Sequence, residues 1–210
     1  MARNLVSVVK QSRREGYALH PKAHKALVKR TTMPGAPGGG GGMGGRRPAK
    51  PSQYSLQLRE KQKVKRLYGL LEKQFSNLMK EATKAPGQSG ENLLRFLELR
   101  ADNAVYRAGF APSRRAARQL MTHGHFMVNG RRVDIPSLRV QPGDVLIVRD
   151  HSVKTEYFKK LDEVSPAGND MPSWIKADRK KLSISITAIP TREDAEPEIK
   201  EQLIVEYYSR

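Results

Sequence analysis

Ser113-Arg-Arg-Ala-Ala-Arg-Gln-Leu-Met-Thr-His-Gly-His-Phe-Met-Val-Asn-Gly-Arg-Arg-Val133 reads as a helix joined to a hairpin. Ser113 follows Pro112 and is a good N-cap, because its hydroxyl can accept a hydrogen bond from an orphan backbone N–H. Ala116, Ala117, Leu120 and Met121 recur at helical spacing and give a narrow apolar face. Gly124 can take the left-handed conformation that ends a helix. Phe126 to Val133 has the signature of a hairpin, with Asn129-Gly130 supplying the two positive-φ residues of a tight turn.

Charge follows the same plan. Arg114 and Arg118 are four apart and share a helix face, with Arg115 about a quarter-turn away. Arg131 and Arg132 leave the turn. A helix start attracts anions through its open N–H groups and its dipole, and arginines beside it make a site for a phosphate backbone. The plainer reading is a solvated amphipathic helix next to a hairpin. On the RNA reading the contact residues of this stretch are Ser113, Arg114, Arg115, Arg118, Gln119, His123, His125, Asn129, Arg131 and Arg132.

Composition points the same way. Among 210 residues, 39 Lys and Arg face 21 Asp and Glu, a formal charge of +18. Such an excess indicates a polyanion partner, nucleic acid before an acidic membrane surface. No stretch approaches the roughly 18 apolar residues of a membrane span. The start Met-Ala-Arg-Asn has no apolar run after it, so no secretory signal is expected and a cytoplasmic location follows by default. The absence of cysteine removes disulfides, thiol catalysis and thiolate metal sites. His20 and His24 are four apart, but two histidines do not fill a tetrahedral metal site. Neither a metal nor a cofactor is expected, and nothing points to a small-molecule substrate.

Upstream of the organising stretch, residues 1–34 read as basic and irregular. Residues 35–45 hold eight glycines in eleven positions, which reads as a flexible segment. Gly45 leads into Arg46-Arg47-Pro48 and not into the Gly-Lys-Ser/Thr of a nucleotide-binding loop. Residues 1–50 carry eleven Lys or Arg and one acid, Glu15, the pattern of an arm that orders on a polyanion. Arg46 and Arg47 are candidate RNA contacts. Residues 52–85 read as helical, capped by Ser52. The basic part carries Arg59, Lys61, Lys63, Lys65 and Arg66 as further candidates. Leu67, Leu70, Leu71, Phe75 and Leu78 follow as a buried stripe, and Gly69 marks a kink. Pro86-Gly87 lies in a break. Residues 91–110 read as one helix with Leu93, Leu94, Leu97, Ala101 and Val105 inward, Asp102 and Asn103 on the far side, and Gly109 as the stop.

Downstream, 138–140 and 145–148 read as strands joined by Pro142-Gly143-Asp144. Trp174 reads as a packing anchor and 181–189 as a short strand. The tail 191–210 reverses charge, with six acids against three bases. Its Ile199, Leu203, Ile204 and Tyr207 suit a terminal segment that packs on protein. The expected fold class is α+β: a flexible arm (1–50), a mainly helical domain (51–90 with 187–210) and an RNA-binding domain of helices on a small bent sheet (91–186, core module 97–157).

Leu-Arg-Ala-Asp-Asn-Ala-Val-Tyr-Arg-Ala-Gly-Phe (99–110), Ser-Arg-Arg-Ala-Ala-Arg-Gln-Leu (113–120), His-Gly-His-Phe-Met-Val-Asn-Gly (123–130) and Pro-Gly-Asp-Val (142–145) resemble the RNA-binding module of the bacterial small-subunit ribosomal protein S-four family. The resemblance extends to residues 54–75, to Arg13-Arg14-Glu15-Gly16 and to the C-terminal 201–210. It implies a structural protein of the 30S subunit that binds 16S ribosomal RNA at a multi-helix junction of the 5′ domain and nucleates assembly of the body. It also implies contact with ribosomal protein S-five and other 30S proteins, across a surface that affects translational accuracy. Some members carry zinc-binding cysteines in the arm; this chain has none. The module also occurs in pseudouridine synthases, so the alternative is an RNA-modifying enzyme that uses it for targeting. A third reading, rescue of stalled ribosomes, is disfavoured by the likeness outside the module.

Overall fold

The structure, a computed structural model, describes residues 6–30, 33–34, 50–166 and 171–209. In chain order its helices are α1 (Val8–Glu15), α2 (His24–Lys29), α3 (Gln53–Leu67), α4 (Glu72–Lys84), α5 (Ser89–Glu98), α6 (Ala101–Arg107), α7 (Arg114–Thr122), α8 (Asp150–Val153), α9 (Glu156–Lys159), α10 (Leu161–Val164) and α11 (Glu201–Tyr208). Its strands are β1 (Phe126–Val128), β2 (Arg131–Val133), β3 (Val145–Val148), β4 (Ile175–Asp178) and β5 (Ser183–Ile186). The class is α+β. The Gly-rich run 35–45, with Arg46 and Arg47, lies outside the described residues.

Two compact units divide the chain, Met1–Asn77 with Ile199–Arg210, and Leu78–Glu198. The cuts fall at 77/78 and 198/199, whereas the sequence suggested 90/91 and 186/187. Side-chain pairing gives the reason: Asn92 donates to the Ala82 carbonyl, Glu81 pairs with Arg139, and Glu196 pairs with Arg114, all within the second unit.

In the first unit the segment expected to be irregular contains α1 and α2, with Gly16 closing α1 at φ +64°. Its polar sequence hid a tertiary anchor, since Glu15 meets Arg59 and Arg66 of α3. Ser52 caps α3 by accepting from the Ser55 N–H at 3.3 Å. The chain then turns at Gly69, φ +67°, a conformation that suits glycine. Val64, Leu67, Leu70 and Phe75 are buried, α11 packs along α3, and Ile204 of α11 and Ile199 just before it are buried. The expectation that the tail packs on protein holds within this unit.

The second unit is built on one antiparallel sheet in the order β2-β1-β3-β5-β4. Register pairs Phe126 with Val148 and Leu146 with Ile184. One face is therefore apolar at period two: Phe126, Val128, Leu146, Val148, Ile184 and Ile186 are buried with Ala104, Val105, Ala117 and Met121 of α6 and α7. Trp174 is fully buried, as an anchor should be.

Four readings need correction here. Residues 91–110 are two helices, α5 and α6, because Arg100 is extended and bridges Arg139. That isolated bridge is the only β-pairing of 138–140 among the described residues, so the segment is no strand. Ile175–Asp178 is a strand that its mixed composition concealed. Asp102 and Asn103 are buried, because α6 turns their face toward Arg100, Arg118 and Glu98.

Candidate nucleic-acid interface

In the second unit the helix and hairpin form as the sequence indicated. Ser113 is buried and its Oγ accepts from the Ala116 N–H at 3.3 Å, so the hydroxyl serves as the helix cap. Asn129 and Gly130 take φ +49° and +79°, the left-handed pair of a tight primed turn. The Asn129 side chain is also committed. It donates to Asp144 Oδ1 at 2.7 Å and accepts from the Val145 N–H at 3.0 Å, tying the hairpin turn to the turn before β3.

Gly124 sits at φ +69° with the Arg132 guanidinium above it; a Cβ there would lie 2.6 Å from Arg132 Nε. Arg149 donates to the Gly124 carbonyl at 3.2 Å. Beside them the rings of His123 and His125 lie 5.9 Å apart. His125 is half-buried, with Nδ1 2.9 Å from Ser152 Oγ. Burial, then the neighbouring His123 and Arg149, hold its pKa below the usual histidine value. Arg115, Gln119, His123, Arg131 and Arg132 are exposed on α7 and the hairpin. Arg149 escaped the sequence reading, since a single base after a strand has no spacing signal.

Arg114 and Arg118 are not an open pair. Arg114 donates to Asn103 Oδ1 at 2.9 Å and to Glu196 Oε1 at 3.1 Å. Arg118 Nε is 3.2 Å from Asp102 Oδ2, and burial lowers the pKa of its guanidinium. Asp102 also takes a two-pronged bond from Arg100, at 3.1 and 2.9 Å. The partners come from α6 and from a distant irregular segment, so helical spacing alone did not reveal them.

The basic helix of the first unit is likewise paired. Arg59 and Arg66 meet Glu15; Lys63 is 2.9 Å from Glu60; Lys61 and Lys65 lie 2.5 and 2.7 Å from Glu72. Lys61 is buried. Burial raises the Glu15 carboxyl, outweighing Arg66 and Arg59. Burial acts on Glu72 in the same sense, but hydrogen bonds from Lys61 and Lys65 prevail and lower it. Each of the five cations of this basic helix thus has an acid beside it. His20 accepts from the Lys22 N–H, and among the described residues no group of three or more His, Asp or Glu is placed to hold a metal. Among them, too, no helix is long and apolar enough to cross a membrane.

A two-helix and hairpin unit with arginines around it is the form of an S4 domain, and residues 99–146 match the family model of that name. Residues 3–98 match the model described as the ribosomal protein S4/S9 N-terminal domain. Along its whole length the chain is 48% identical to "Small ribosomal subunit protein uS4" of Clostridioides difficile (strain 630), over 216 residues and all of both chains. It is 47% identical to the proteins of that name from Chlorobaculum tepidum, over 215 residues, and Roseiflexus castenholzii, over 211, again covering all of both chains. The chain belongs to the uS4 family of small ribosomal subunit proteins. That is a family of ribosomal proteins and not of enzymes, which removes the RNA-modifying alternative.

Proposed function

We propose that the protein is a structural component of the small ribosomal subunit that binds 16S ribosomal RNA at a 5′-domain junction and nucleates assembly of the body. The observation that carries this is the exposed set Arg115, Gln119, His123, Arg131 and Arg132 around Gly124, in a chain of net charge +18. Such a surface acts on the phosphate backbone, where Lys and Arg displace condensed counterions and shape selects the site. It would work in the cytoplasm, within the ribosome. Contact with ribosomal protein S-five and other 30S proteins, and an influence on translational accuracy, are what the family resemblance supplies. Arg46 and Arg47 belong to the same proposal as contacts of the arm.

Filter binding of the full chain to the 5′ domain of 16S ribosomal RNA across a salt series tests the reading. The expected result is tight, strongly salt-dependent binding that an unrelated RNA of equal length does not match. Equal affinity for both RNAs at all salts would overturn it.

A further inference from the structure

Arg107 and Arg114 each bring Nη2 within ion-pair distance of one oxygen, Glu196 Oε1, at 3.6 and 3.1 Å. Each guanidinium is anchored on its inner edge by a buried group. Arg107 makes a two-pronged bond to Glu98, at 3.1 and 2.8 Å, and Arg114 donates to Asn103. Arg114 also lies over the Tyr106 ring, 4.7 Å from its centroid. These anchors fix the two guanidinium groups whatever stands beside them. Glu98 neutralises one positive charge and has a side chain only 1% exposed, so it cannot leave. Glu196 balances the other. Its side chain is 23% exposed and it sits in an irregular segment between β5 and α11. It also lines, with Tyr106, Arg107, Ser165 and Arg179, an open cleft of about 500 Å³. Arg179, in the same lining, donates to the carbonyls of Gly109 and Ser165.

One oxygen beside two guanidinium groups that are already held in place is a position a phosphate oxygen could take. We propose that this cleft is a phosphate subsite for RNA, and that Glu196 is its intramolecular occupant until a backbone phosphate displaces it. The inference rests on the RNA-binding reading above and adds Arg107 and Glu196 to it. Displacement exchanges one anion for another on the same forks, so the site stays ordered and nearly neutral when RNA is absent. In the wild type the released carboxylate takes up a cation, which offsets one counterion freed from the RNA.

The test uses the full chain and the 5′ domain of 16S ribosomal RNA in filter binding over a salt series, with thermal melts of each variant. Glu196→Gln should bind roughly two- to fivefold tighter at low salt, the range that breaking one partly exposed ion pair supports. Its log–log salt slope should steepen by up to about one. Glu193→Gln makes the same charge change at an exposed neighbour and should move affinity less. Arg114→Ala should cancel the gain; should that variant melt early, Arg114→Gln, which can still meet Asn103, replaces it. Glu196→Gln binding no tighter than Glu193→Gln would overturn the proposal, as would a gain that persists without Arg114. Failure of the RNA reading itself would look different: the wild type would not distinguish the 5′ domain from unrelated RNA.

Discussion

Lys61 stands over the ring of Tyr207, with Nζ 4.4 Å from the ring centroid. The same ammonium lies 2.5 Å from Glu72, and its side chain is 4% exposed. Helical spacing put Lys61 in a basic row; the fold puts it under α11 as a fastener. Lys61→Ala is therefore expected to lower stability by about 1–3 kcal/mol, combining the loss of a desolvated cation–π contact with the loss of one of the two cations on Glu72. The salt slope of RNA binding should hardly change. Denaturant melts and a salt series check both halves; a stable variant with a flattened slope would return Lys61 to the RNA surface.

The tail acts through the same packing. Ile199 and Ile204 are buried, Gln57 donates to Glu206 at 2.9 Å, and the Lys200 N–H donates to Glu60. Removing residues 199–210 takes away two buried side chains of about 1.5–3 kcal/mol each, a large share of the stability of a small unit. The truncated chain should lose cooperative unfolding of the first unit, read by circular dichroism or hydrogen exchange. Normal melting after truncation would contradict this.

What the sequence disclosed was local. Ser52 and Ser113 cap as their hydroxyls allow, Gly69, Gly109 and Gly124 sit where the chain needs positive φ, and Asn129-Gly130 turns the hairpin. Period-two alternation marked β5, and Trp174 stood out by size alone. What stayed hidden depends on partners distant in sequence. Glu15 reaches Arg66 across 51 residues and Glu196 reaches Arg114 across 82. Neither pairing leaves a mark on helical or strand spacing. For the same reason the acids beside the candidate cations went unseen, while β4 needed β5 beside it to become a strand.

Gly124 joins local and distant constraints. At φ +69° a Cβ costs about 1–2 kcal/mol of backbone strain, and it would also push the Arg132 guanidinium aside. Gly124→Ala should lower the melting temperature and weaken RNA binding together. A rescue of binding by high protein stability elsewhere, without return of the Arg132 contact, would show that Arg132 placement does not matter.

His125 gives a pH dependence with a definite sign. Its folded pKa lies below the unfolded value, so between the two the unfolded chain holds more protons. Stability from this residue is present above the unfolded histidine pKa, about 6.5, and is lost as pH falls below it toward the folded value. A His125→Gln chain should lose that slope. Proton NMR of the ring should give a midpoint below that of an exposed histidine; a midpoint above it would reverse the sign and refute the assignment.

The arginines of the organising stretch divide by what they touch. Asp102, 5% exposed, is held by Arg100 and Arg118 together. Asp102→Ala leaves two largely buried cations facing one another and should cost about 3–5 kcal/mol. Arg118→Ala leaves Asp102 its two-pronged bond to Arg100 and should cost less, about 1–2 kcal/mol for one charged contact. Arg115, Arg131 and Arg132 are exposed, so removing any of them should change stability by less than about 0.5 kcal/mol. Each of those three losses should flatten the log–log salt slope of RNA binding by roughly one unit. The two classes therefore separate on a plot of melting temperature against salt slope. Arg118 should move along the stability axis first and Arg131 along the slope axis alone. An Arg131→Ala chain that melts normally and keeps the full wild-type slope would place the RNA on a face other than the hairpin.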